Sequence, residues 1–180
     1  MFASTVLGLL LGFSSPVALL TSVPVDHWQP EEGDVLLIDT KDNVGYLVHR
    51  DGVFTNFPVA TGQKRVVRYI GRTYDARTPE RSWIAQTPVE IKGDRVTFGK
   101  DGRFLRLSYK DERTPYGIHP HRYNDRMLAQ DERFESMGCI IVSDAMMATI
   151  EQTFTLNGNR LEVVTSYGLE GLQNSLALSH

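Results

Sequence analysis

Apolar positions in this chain come mostly in short runs and alternations, with one helical stripe near the end. Val35-Leu36-Leu37-Ile38 sits between Asp34 and Asp39 and reads as a buried strand. Lys41-Asp42-Asn43 is a polar turn, and Val44 to Arg50 is the return strand. Asp51-Gly52 is a hairpin signal, and Val53 to Ala60 follows it. Three strands joined by short turns predict an antiparallel meander. Lys64 to Arg72 alternates in part. Arg77 to Ala85 reads as a short helical or irregular excursion. Thr87-Pro88 then ends any helix, because the residue before proline avoids the α region. Short strands are predicted over 89–91, 95–98 and 103–109, and Phe104, Leu105 and Leu107 make the last an inner strand. Lys110 to Thr114 is a polar loop, and a further strand opens at Pro115.

The helical stripe is Met146 or Met147, Ile150 and Phe154, and Ser143 or Asp144 is placed to cap it. It follows the short buried strand Ile140-Ile141-Val142 and reads as core packing. Asn157-Gly158 turns the chain into a last strand, Arg160 to Thr165. The fold class expected is mainly β: a β-sandwich or flattened barrel with one helix after the strand that follows Cys139.

Met1 to Val25 holds no charged side chain, and its apolar runs Val6–Phe13 and Val17–Leu20 flank Ser14-Ser15-Pro16. This predicts a secretory signal or N-terminal membrane anchor over residues 1–25, and hence an exported protein of the periplasm or cell envelope. The segment has no Lys or Arg and no Ala-x-Ala site. Its runs are short for a spanning helix, which needs about 20 apolar residues. A buried N-terminal element is the alternative. Residues 26–33 read as a linker, 34–166 as the main domain, and 167–180 as a C-terminal tail.

A chain of 180 residues builds one domain with a real core. Its net charge of −3 (19 − 22) argues against a general nucleic-acid binder. Five Lys/Arg and one Asp fall between Lys64 and Arg77. That stretch is either a solvated face or a patch for a polyanionic polymer or substrate carboxylate. Cys139 is the one cysteine, so no intrachain disulfide forms. In an oxidising compartment an unpaired thiol calls for a reason.

That reason lies in Pro115-Tyr116-Gly117-Ile118-His119-Pro120-His121 and Ser136-Met137-Gly138-Cys139. His119 precedes Cys139 by 20 positions (139 − 119), which suits two neighbouring strands joined by a long excursion. A free thiol is mostly protonated at neutral pH, and an imidazole can take its proton and return it to a leaving amine. His121 shares the face of His119 if the strand continues. His119, His121 and Cys139 are also competent zinc ligands, but Gly-Cys lacks a second close ligand, and no metal or cofactor is expected.

At these residues the chain resembles the L,D-transpeptidases with a YkuD-type catalytic domain. Tyr116-Gly117-Ile118-His119 and Ser136-Met137-Gly138-Cys139-Ile140 carry the likeness. Phe57-Pro58-Val59-Ala60-Thr61-Gly62, Thr87-Pro88 and Leu156 to Val164 extend it, roughly over Asp34 to Thr165. The resemblance implies acyl transfer on peptidoglycan stem peptides through a thioester. Cys139 is the implied nucleophile, and His119 is its base. The backbone carbonyl of Pro120 is the implied orienter, and amides near Met137, Gly138 and Cys139 hold the oxyanion. Tyr116, His121, Arg122, Arg126, Ser136 and Met137 are candidate substrate contacts. Stem peptides are the expected partner, and nucleic acid is not. The products implied are a 3→3 cross-link or a hydrolysed stem. Ile141 stands where the family often has Arg, Met137 where it often has His, and Pro120-His121 where it has Gly-Thr. These departures bear on donor specificity. A hydrolase on the same mechanism and a non-catalytic wall-binding module are the alternatives.

Overall fold

The computed structural model describes residues 21–69 and 71–171. A short strand β1 (Thr21–Ser22) leads into the expected meander β2 (Val35–Asp39), β3 (Val44–Val48) and β4 (Val53–Pro58). Within the meander the strands pair antiparallel, and β1 joins β4 in parallel. Asn43 holds φ 55 in the β2–β3 turn, a left-handed conformation that asparagine tolerates. After β5 (Thr61–Gly62), the basic stretch forms a hairpin, β6 (Val66–Tyr69) and β7 (Arg72–Asp75), as a two-stranded sheet of its own. Next come β8 (Arg81–Ala85), β9 (Glu90–Ile91), β10 (Arg103–Tyr109) and β11 (Glu112–His119). A short helix α1 (Asn124–Leu128) precedes β12 (Phe134–Ser136) and β13 (Ile140–Ile141). Helix α2 (Asp144–Leu156) and strand β14 (Leu161–Ser166) follow.

The main sheet runs β1, β4, β3, β2, β14, β8, β10, β11, β13, with β9 also on β10. It is mixed, because β14 lies parallel to β2 and antiparallel to β8. Ala60, just after β4, exchanges both backbone bonds with Ile141 of β13 at 2.9 and 2.8 Å. The path therefore returns to its own start and flattens into a barrel. The expected fold class holds.

Helix α2 lays Met146, Met147, Ile150 and Phe154 into the core beside Leu36, Trp83, Leu105 and Ile140. Ser143 starts the helix, its hydroxyl accepting the Met146 N–H at 3.1 Å. Each fully buried aliphatic here contributes about 1.5–3 kcal/mol. Ile150→Asp is the change that would break this layer.

Several sequence expectations need correction. Residues 81–85, read as part of an excursion, are β8, a central strand with Trp83 fully buried. One aromatic between Arg81 and the Thr87-Pro88 break hid a two-residue period. Residues 95–98 are not a strand. The Asp94 carboxylate accepts the amides of Val96 and Thr97 at 2.9 and 3.1 Å, a local turn that competes with a ladder. Residues 26–33, read as a linker, pack on the domain. Trp28 stacks on His49 at 3.9 Å, and His49 Nδ1 meets Asp34 Oδ1 at 2.6 Å. The leader expected over 1–25 falls mainly on residues 1–20, outside the described residues, as does the tail beyond 171. Among the described residues no helix is long and apolar enough to cross a membrane.

Candidate active site

A tight turn between β12 and β13 presents Cys139. The buried Ser136 hydroxyl donates to the Cys139 carbonyl at 2.5 Å and accepts the Gly138 N–H at 3.1 Å. Gly138 has φ +112, and a Cβ there would stand 2.5 Å from Tyr116 Cε1, so only glycine closes this turn over the ring. The thiol is free and half-buried, and it points at the Pro115 carbonyl, 3.9 Å from Sγ. The Gly138 N–H, expected to face an oxyanion, is committed to Ser136.

His119 ends β11, which pairs in parallel with β13 through Ile118 with Ile140 and His119 with Ile141. Ile118 and Ile140 face the core. Alternation then puts positions 117, 119 and 141 on the opposite face, and Cys139 lies in the turn just before β13. His119 is 3% exposed, its ring 5.0 Å from that of Phe98 and 5.8 Å from that of Phe104. Its Nδ1–H donates to the Pro120 carbonyl at 2.8 Å, which leaves Nε2 as the basic nitrogen. Neither Cys139 nor His119 is the other's hydrogen-bond partner among the described contacts.

Burial governs both ionisations. It pushes the Cys139 thiol up to about 11, opposed by the Gly117 amide and the Arg106 charge. It pushes His119 down to about 4, opposed by the backbones of Pro120 and Thr97. At neutral pH the pair is a neutral thiol and a neutral imidazole, the state that general-base chemistry starts from.

The other sequence candidates divide. Tyr116 packs tilted against Trp83, ring centroids 5.6 Å apart, beneath Gly138, and Met137 lies half-buried on the turn. His121 does not share the His119 face. The strand stops at His119, and His121 Nδ1 accepts the Tyr123 N–H at 3.1 Å. Arg122 and Arg126 are exposed on the excursion, Arg126 lying over the Tyr123 ring at 5.4 Å. Neither is brought to the thiol. Among the described residues, no three His, Cys, Asp or Glu side chains gather as a metal-binding group. A cleft of about 270 Å³ beside β5 and β12 is lined by Thr61, Gly62, Lys64, Arg77, Thr78 and Phe134, among others. It gives part of the basic stretch a wall near the turn.

Sequence reasoning missed Arg106, which lies across from Gly117, and its partner Glu90. The signal was the two-residue period of β10, which sets Phe104 and Arg106 together opposite Leu105. Gly117 was quoted only as motif. A Cβ there would stand 2.3 Å from Phe104 Cζ, so the bare backbone admits the ring that covers His119.

Comparisons agree with this architecture. A crystal structure of the L,D-transpeptidase of Xylanimonas cellulosilytica is 18% identical with TM-score 0.53, covering 77% of this chain and 63% of that one. An L,D-transpeptidase from Mycobacterium smegmatis is 13% identical with TM-score 0.51, covering 74% and 58%. The helical cell shape determining protein Pgp2 from Campylobacter jejuni is 15% identical with TM-score 0.53, covering 91% and 57%. The chain thus spans roughly three fifths of each of these neighbours, and at such identities they share its fold. No curated protein matches the chain significantly. A family model, the L,D-transpeptidase catalytic domain (YkuD), matches residues 33–158, and the chain belongs to that family.

Proposed function

We propose that this chain performs cysteine-dependent acyl transfer on peptidoglycan stem peptides, in cell-wall biogenesis or remodelling. The observation that carries the reading is the Ser136–Cys139 turn, which holds one free thiol just before the strand that pairs with the end of β11, where a buried, neutral histidine sits. Cys139 Sγ attacks the carbonyl of the third stem residue while its proton passes to His119 Nε2. The tetrahedral oxyanion takes the amides of Met137 and Cys139, the Gly138 N–H being committed. Collapse breaks the peptide bond, and the departing D-alanine amine receives the proton from His119. The thioester then passes to a side-chain amine of another stem, giving a 3→3 cross-link, or to water, giving a shortened stem.

Sulfur and Nε2 must meet directly or through one water, and such contacts often tighten only when substrate binds. The Pro120 carbonyl keeps Nε2 basic throughout. Tyr116 forms the floor under the turn, and the basic stretch with its cleft receives stem carboxylates. The reaction belongs in the cell envelope. Residues 1–25 serve as signal or membrane tether.

Purified protein is incubated with a carbapenem and with a tetrapeptide stem, for wild type and Cys139→Ala, and intact mass is read. Expected are a covalent adduct and D-alanine release that both vanish in the variant. Cross-linked product marks a transpeptidase, and shortened stem alone marks an L,D-carboxypeptidase. Folded wild type with neither adduct nor turnover defeats this reading and leaves a wall-binding role.

A further inference from the structure

The thiol has a charged neighbour across Gly117. Arg106 of β10 pairs with Gly117 of β11, and Ile118 of β11 pairs with Ile140 of β13. Cys139 sits in the turn one residue before β13, beside Gly117, so a line from Arg106 across Gly117 leads to that turn. Its ends stand about two strand spacings apart, about 10 Å along the backbone. Gly117 puts no side chain of its own there, and the edge of the Phe104 ring fills the space over it. Phe104, two positions before Arg106, also packs on His119.

The guanidinium is held in place. Nε and Nη2 both donate to the Glu90 carboxylate, and Nη1 donates to the Thr114 carbonyl. Its plane lies over the Phe104 ring at 5.0 Å, and the side chain is 16% exposed. Glu90 also pairs with Lys92 and Arg113. Three cations on one carboxylate leave two net positive charges (3 − 1) at this end of the line. Arg106 above all holds the Glu90 carboxyl far below the usual carboxylate range. The cluster therefore keeps its charges across the whole working pH range.

We propose that Arg106, balanced by Glu90, is a positioning residue that sets the ionisation of Cys139 from across Gly117. The proposal deepens the nucleophile reading above and rests on it for its catalytic meaning. A fixed cation favours the thiolate, and the Glu90 carboxylate, one step further along, opposes it. Burial has pushed the thiol up, and the Arg106 charge works against that push together with the Gly117 amide. The other titratable groups that feel the Cys139 charge are Tyr116, packed against the core beneath the turn, and Tyr74 of β7, both phenols raised first by burial. Buried His119 is neutral above about pH 4. Arg81 and Asp75 act on Tyr116 in opposite senses.

The test reads the rate at which iodoacetamide alkylates Cys139 at pH 8, in folded protein without substrate. Below the thiol's pKa this rate follows the thiolate fraction, so a shift of about half a unit is about threefold. A unit charge at this range in a partly solvated site produces a shift of about that size. Arg106→Met is expected to slow alkylation about threefold, and Glu90→Gln to speed it about threefold. Arg106→Lys, which keeps the charge, stays near wild type. A merely structural role would move Arg106→Met and Glu90→Gln in the same direction, or neither, and either result overturns the proposal. If Arg106→Met does not fold, Glu90→Gln decides alone: faster alkylation supports the proposal, and unchanged or slower alkylation overturns it. Because no stem peptide enters the assay, a normal charge response beside absent acyl transfer defeats only the function proposed above.

Discussion

The Nδ1–H of His119 points at the Pro120 carbonyl, 2.8 Å away, so the imidazole has one basic nitrogen and one fixed orientation. In the proposed reaction a base so held contributes about 10²–10⁴-fold to proton-transfer steps. His119→Gln is therefore expected to slow carbapenem acylation at least about a hundredfold. The thiol itself remains, so iodoacetamide still labels Cys139. Acylation rates from intact mass, beside alkylation rates on the same sample, separate a lost base from a lost nucleophile.

The burial that keeps His119 neutral also ties stability to pH. Its folded pKa is about 4, against about 6.5 for the exposed side chain. Between these values the unfolded chain binds the proton and the folded one does not, so stability falls as pH drops from about 6.5 to about 4. The contribution lost from this residue is roughly 3 kcal/mol, intact above the window and gone below it. Urea midpoints at pH 7.5 and pH 4 measure it. His119→Leu should flatten the difference between the two by a comparable amount. An equal drop in both proteins would assign the acid sensitivity elsewhere.

The Ser136 hydroxyl satisfies one donor and one acceptor of the Cys139 turn, both inside the fold. Ser136→Ala strands a buried N–H and a carbonyl, at about 1–3 kcal/mol for a stranded group. It also releases the turn that aims the thiol. The expected outcome is a lower melting temperature together with a fall in kcat larger than any rise in KM. A fall in stability with kcat unchanged would make the hydroxyl structural only.

What the sequence made legible was whatever depends on near neighbours. The meander over 34–60 announced itself through Lys41-Asp42-Asn43 and Asp51-Gly52, and α2 through its apolar stripe and Ser143. The Ser-x-Gly-Cys step and the upstream Ile-His were readable because the family signature is local. The illegible parts depend on strand pairing. Trp83 gives no sign in sequence that β8 fills the space between β14 and β10. Arg106 and Glu90 lie 16 positions apart and meet only because β9 folds onto β10. His121 was misplaced for a reason that was present: Pro120 lacks the N–H to continue the ladder, so the strand ends one residue too early for a shared face.

Gly117 joins the thiol, the base and the charged cluster, and replacing it tests how they depend on one another. A Cβ at this position would stand 2.3 Å from Phe104 Cζ and 2.8 Å from the Leu105 carbonyl oxygen. The ring can swing away, but the backbone oxygen of a paired central strand cannot yield cheaply. Gly117→Ala should cost about 1–3 kcal/mol through overpacking. It should also push Phe104 off His119, letting water reach an imidazole whose low pKa comes from burial. The His119 titration, followed by NMR of its ring protons, should therefore move up from about 4 toward about 6.5. The acid-limb loss of stability should shrink with it. If stability falls while the titration stays put, Phe104 is packing alone, and the neutrality of His119 is set by the Thr97–Phe98 side of its pocket.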